Sequence, residues 1–304
     1  MDTHLVLDGQ SETVPDDAAL YKIVVGGLKG GHSGIDIHKH RGNANKVLAR
    51  TLAHIRGKSA LRLVMLTGGS RKNAIPRDAQ ALFWVEASRQ AGIDLAVQQM
   101  TAIIKTELAG NGEDFFIQSS PATHATGDRK ALSLRDTDRA IAVLLALPDG
   151  VERMSAHMQG LVETSSNLAT METVGNRVCI VTSQRSSSMS RLDEITATVH
   201  SIAQLAEALV QDKEAYPAWQ PAMDSELLKR CQNVYRRLYD REPVIQVIHA
   251  GLECAIIGDI YPHMDMISLG PTLRNAHSPD EQLHIPSITK VWDLLVELLA
   301  RMKP

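Results

Sequence analysis

Residues Tyr21-Lys22-Ile23-Val24-Val25 form a short β-branched run that breaks directly into Gly26-Gly27-Leu28-Lys29-Gly30-Gly31-His32-Ser33-Gly34. The pattern reads as a strand running into a glycine-rich turn. Just downstream, Asn43 can cap a helix to about residue 56, with Val47, Leu48, Leu52 and Ile55 as its apolar stripe. Leu61–Leu66 and Ala81–Val85 then read as strands flanking the loop Gly68-Gly69-Ser70-Arg71-Lys72-Asn73-Ala74-Ile75-Pro76. A helix over about 93–108 presents Val97, Met100, Ile104 and Leu108, and Phe115–Gln118 is a further short strand.

The same order recurs further along. A helix near 134–147 carries Leu134, Ile141, Leu144 and Leu145 and stops at Pro148. Strands over 160–171 and 178–184 follow, then a helix over about 191–210. Residues 17–212 are therefore expected to be two copies of a strand-helix-strand-strand-helix unit, about 17–120 and 121–212. Such units build an open antiparallel sheet covered by helices on one face. Residues 1–16 stand outside this repeat. The segment Asp212–Ala222 (DKEAYPAWQPA) is proline-rich and aperiodic, and marks the next boundary. Residues 213–304 then alternate: helix 224–240, strand Val244–Ile248, short helix Gly251–Ile257, strand Met264–Leu269, loop Gly270–His284 and helix Ser287–Met302. That is an α/β pattern with too few strands for a full doubly wound sheet, so it reads as part of such a domain.

Composition narrows the function classes. The 304 residues carry 32 Lys and Arg against 35 Asp and Glu, a net charge of −3, which argues against a general polyanion binder. Aromatic content of 4% leaves little for base stacking. No apolar run approaches the ~18 residues a membrane span needs, and the acidic N-terminus does not resemble a signal peptide. Cys179, Cys231 and Cys254 are widely spaced and make neither a disulfide framework nor a CxxC zinc site. A cytoplasmic protein is expected.

Four loops hold polar residues where propensity would not put them. The turn around His32 presents an imidazole on a flexible backbone, although a glycine turn that happens to hold a histidine reads equally well. Asn73 can donate and accept from a fixed turn, as can any turn asparagine. Arg185, at a strand end, offers a planar fork matched to a carboxylate; a surface arginine is the plainer reading. His277 follows a predicted strand, where α/β domains place ligands, and suits a zinc site with Asp280 or Glu281 orienting it. His249 and Glu253 follow another such strand. There is no GxSxG elbow and no HExxH, and one histidine cannot hold a catalytic zinc.

Taken together, GLKGGHSGIDIHKHRGNANK (27–46), GGSRKNAIPR (68–77), IQVIHAGLEC (245–254) and MDMISLGPTLRNAHSPDEQLHI (264–285) closely resemble the aminoacyl-histidine dipeptidases of the di-zinc aminoacylase/carboxypeptidase superfamily. The resemblance covers nearly the whole chain in order. It implies a lid and dimerisation domain over 17–212, the C-terminal part of a zinc-peptidase domain over 213–304, and a remnant of that domain over 1–16. It also implies zinc-dependent hydrolysis of Xaa-His dipeptides. His32 would reach the substrate carbonyl, Asn73 and Arg185 would bind substrate, His249, Gly251 and Glu253 would line the pocket, and His277 would ligate zinc. The family's His-x-Asp segment, bridging aspartate, Glu-Glu pair and further aspartate have no counterpart here. The chain is thus expected to be incomplete, inactive alone, and to associate as a homodimer through the lid or with the missing N-terminal part. The rival expectation is a truncated, non-catalytic interaction module.

Overall fold

The computed structural model describes residues 1–123, 129–156, 160–213, 222, 224–245, 253–274, 276 and 281–302. In chain order its elements are β1 (Asp2–Asp8), β2 (Ser11–Thr13), β3 (Ala18–Gly26), β4 (Gly31–His32), α1 (Ala44–Arg56), β5 (Leu61–Gly68), β6 (Ala74–Ile75), β7 (Ala79–Glu86), α2 (Gln90–Glu107) and β8 (Phe116–Pro121). There follow β9 (Lys130–Leu132), α3 (Leu134–Ala146), β10 (Gly150–Met154), β11 (Val162–Val174), β12 (Arg177–Ser186), α4 (Met189–Leu205), β13 (Leu209–Lys213), α5 (Glu226–Tyr239), α6 (Glu253–Ile260), β14 (Leu273–Arg274), β15 (Gln282–Leu283) and α7 (Pro286–Ala300).

Alternation in the strands dictates a two-layer α/β architecture. Every second residue of β1 and β3, among them Leu5, Leu7, Ile23 and Val25, is buried. These side chains join Leu48 and Leu52 of α1, Ile93 and Val97 of α2, Ile141 and Leu144 of α3, and Val199 and Ala203 of α4 in one core. All four helices therefore cover one face of a nine-stranded sheet in the order β13-β1-β12-β11-β5-β7-β3-β8, with β10 on β11. Its ladders are all antiparallel. Asn43 caps α1 by accepting from the amides of Asn45 and Lys46.

The sheet consists of two like-ordered halves. Strands β3, β5, β7 and β8 with α1 and α2 make the first. In the second, β11, β12 and β13 with α3 and α4 repeat it, and the place of β3 is taken by β1. Asp2–Asp8 pairs with β12 on one side and β13 on the other. Asp2–Asp8 thus lies inside the sheet, although residues 1–16 read from sequence as standing outside the repeat. Leu5 and Leu7 needed neighbours from beyond residue 176, which local pattern cannot reveal. The first half is thus inserted between the first strand and the first helix of the second.

The halves meet where β5 pairs with β11, Gly68 opposite Met171 and Thr67 opposite Glu172. The backbones approach closely there. Gly69 has φ +69°, and a Cβ on it would lie 1.9 Å from the carbonyl oxygen of Ala169. On the other face, the β2–β9 ribbon covers Leu20 and Trp84 with Val14 and Ala131, and the Arg129 guanidinium lies 4.6 Å from the Trp84 ring centre.

Beyond residue 213, α5 and α7 pack through Val234, Leu294 and Leu298, and Tyr239 donates to the Lys290 carbonyl at 2.6 Å. The expected strand Met264–Leu269 is not in a ladder, and Val244 and Ile245 carry no strand, the rest of that expected strand lying outside the described residues. Apolar runs of this length become strands only beside a partner. Asp265 instead accepts from the amide of Leu227 and the hydroxyl of Ser225 at the start of α5. Among the described residues no helix is long and apolar enough to cross a membrane.

Candidate functional site

The glycine turn and the Asn73 loop, 41 positions apart in sequence, are drawn together as the ribbon β4–β6, with His32 opposite Ala74 and Gly31 opposite Ile75. The amide of Ser33 donates to the Asn73 carbonyl at 2.9 Å. Gly31 is required here: its φ is +135°, and a Cβ would meet Arg41 Nη1 at 2.3 Å and Asp36 Oδ2 at 2.6 Å. Ile37 and Ile75 pack with Val162, seating the ribbon on β11.

The His32 ring is held in one state. It is 7% exposed, and its Nδ1 accepts from the amides of Gly34 and Ile35, both at 3.0 Å. An acceptor Nδ1 leaves the ring proton on Nε2, so the imidazole is a neutral donor there. Asp36 fixes the backbone by accepting from the His32 amide at 2.9 Å, and pairs with Lys39 and Arg41. Burial alone would raise the Asp36 carboxyl, but the Lys39 and His32 hydrogen bonds and the Arg41 charge hold it below the usual range.

Register places Arg185 beside this ribbon. Asp2, Ser183 and Asn167 lie opposite one another across β1, β12 and β11, and Ser165 lies opposite Arg185. Leu168 and Ile180 belong to the helix-packed core, so these four positions and Asp2 point to the other side of the sheet. The Asn73 loop crosses that row. Lys72 Nζ pairs with Asp2 at 2.7 Å, and Asn167 Nδ2 donates to the Ala74 carbonyl at 2.9 Å. Arg185 follows Ser183 by two residues, roughly 7 Å along the strand. Its Nε is buried and has no hydrogen-bond partner among the described residues. Burial depresses its guanidinium below the ordinary value, and Asp2 offsets that only in part.

Three residues singled out from the sequence, His32, Asn73 and Arg185, are thus brought to one neighbourhood. Glu253 opens α6, is exposed, and has no hydrogen bond to this group among the described residues. His249, Gly251 and His277 lie outside the described residues. Among the described residues no three His, Cys, Asp or Glu side chains converge as a metal site, so these residues do not by themselves fit a zinc centre. Asp36, Asn167 and Asp2 were missed by sequence reading. The signal for Asn167 was Thr164-Ser165-Ser166-Asn167, four polar residues inside a strand, all buried.

Residues 24–111 match the family described as a peptidase dimerisation domain. The cytosol non-specific dipeptidase of Escherichia coli (strain K12) is 41% identical over 288 residues, 95% of this chain and 59% of that protein. The crystal structure of aminoacylhistidine dipeptidase from Vibrio alginolyticus aligns with a TM-score of 0.85 at 38% identity, covering 99% of this chain and 61% of that one. The chain therefore spans about three fifths of the length of these two relatives.

Proposed function

We propose that this chain, a homologue of the cytosolic and aminoacylhistidine dipeptidases over nearly all of its own length, provides the substrate-closing lid and C-terminal part of a zinc-dependent hydrolase of Xaa-His dipeptides. The observation that carries the reading is Arg185, a half-buried guanidinium whose buried Nε has no hydrogen-bond partner among the described residues, set beside the ribbon that holds His32 and Asn73. A dipeptide ends in a carboxylate a fixed distance from its only peptide carbonyl. The arginine fork donates two parallel hydrogen bonds to that carboxylate. His32 Nε2–H then faces the carbonyl oxygen and stabilises the negative charge that develops on it. Asn73 holds the substrate amide. A longer peptide would carry its carboxylate away from the reacting carbonyl, so the pair of anchors selects dipeptides.

His277 is proposed as this chain's metal ligand, with His249, Gly251 and Glu253 lining the pocket. The described residues do not by themselves assemble a site for zinc. The dimerisation-domain match supports a homodimer through residues 24–111, and the cytosolic relative supports a cytoplasmic setting.

The test compares the 304-residue chain with the polypeptide extended at its N-terminus to the length of its relatives, each incubated with β-alanyl-histidine. Histidine release is expected from the extended form alone, lost on chelation and restored by zinc. Release by the short chain at equal rate would overturn the division of labour. No release by the extended form would leave a non-catalytic dimerisation module as the better reading.

A further inference from the structure

Along one edge, β11 pairs with β10 through Val162–Ser166 and with β5 at Met171 and Glu172. The stretch between is served by side chains. The Leu168 amide donates to Asp149 Oδ1 at 2.9 Å, and the Leu168 carbonyl accepts from Asn43 and Asn45 at 3.1 Å each. Asn43 Nδ2 also donates to Asp149 Oδ1 at 2.7 Å and lies 3.4 Å from Asn167 Oδ1. Asn167 is 1% exposed, and its own Nδ2 reaches the Ala74 carbonyl. The Asn43 donor on its oxygen turns the amide so that its nitrogen faces the loop.

We infer that Asn167 is a positioning residue: it holds the Ala74 carbonyl, and through it the Asn73 turn and the paired His32, in register with Arg185 on the neighbouring strand. Its role in catalysis rests on the dipeptidase reading above, but the anchoring itself does not. Ala74 stands opposite His32, and the Asn73 carbonyl holds the Ser33 amide, so a shift of this short ribbon moves both substrate-facing groups together. Arg185 is fixed separately by the β11–β12 ladder. The Asn167 bond is thus a direct tie between the strand that pairs with the carboxylate anchor and the ribbon that carries the oxyanion donor. An aspartate of the same shape would place an oxygen against the Ala74 oxygen and reverse the attraction.

Hydrogen exchange of the 304-residue chain tests the anchor without any catalysis. In Asn167→Asp, the amide of Ser33 is expected to exchange about tenfold faster or more, while amides of β3 and β7 stay unchanged. Unchanged exchange at Ser33, or an equal rise throughout the sheet, would overturn the anchor. Should Asn167→Asp fail to fold, Asn167→Ser, which keeps a donor but shortens its reach, gives the same reading. In the extended, active polypeptide the aspartate variant is expected to lose about tenfold or more in kcat/KM with kcat falling more than KM rises, since the His32 and Asn73 contacts are displaced together while the Arg185 anchor stays in place. A faster-exchanging Ser33 with unchanged kcat would overturn the catalytic part. A wild-type extended polypeptide with no turnover would count against the dipeptidase reading, with the exchange result still standing on its own.

Discussion

At the scale of the residue, the most consequential group is a half-buried charge with incomplete company. Arg185 keeps a buried Nε with no hydrogen-bond partner among the described residues, which is costly unless a ligand supplies the acceptor. Replacing it by lysine keeps the charge but loses the two-pronged geometry. Arg185→Lys is expected to raise KM for an Xaa-His dipeptide by roughly 10–100-fold, about 1.4–2.8 kcal/mol. The same substitution should barely change turnover of the corresponding dipeptide amide, which has no carboxylate; steady-state kinetics on both substrates check this.

Among the elements, the seam between β5 and β11 is the least forgiving. Gly69→Ala would drive a methyl into the Ala169 carbonyl in a backbone conformation that alanine disfavours. A loss of about 2 kcal/mol or more is expected, read as a lowered denaturant midpoint with an unchanged slope. The sequence made β3, α1 and α2 of the first half legible, because their periodicity and the Asn43 cap of α1 are local. It also pointed to the His32, Asn73 and Arg185 loops, whose polar residues conflict with their setting. It concealed β1, since Leu5 and Leu7 alternate over too short a run to announce partners beyond residue 176. It concealed Asn167 as well, whose work is visible only when the Ala74 carbonyl is seen beside it. Met264–Leu269 misled for the opposite reason: an apolar run supplies the propensity for a strand but not the neighbour.

For the whole molecule, one core runs beneath both halves of the sheet, so the two repeats should unfold together. β1 is the closing piece. Burying Leu5 and Leu7 contributes roughly 3–6 kcal/mol, comparable with the entire net stability of a domain. Deleting residues 1–8 should therefore abolish exchange protection in β12, β13 and α4 first, and expose apolar surface to a hydrophobic dye. Retained protection in β12 would contradict the role assigned to this strand.

The insertion of one repeat inside the other also sets a timetable on the ribosome. Asp2 leaves the tunnel well before its strand partner Ser183, which lies 181 residues behind it. At roughly 5–20 residues per second that is a wait on the order of 10–40 s. The first repeat, whose last strand closes at Pro121, can fold during that interval. Strand β1 meanwhile waits unpaired, with Leu5 and Leu7 uncovered, and is a segment on which a chaperone would have much to do.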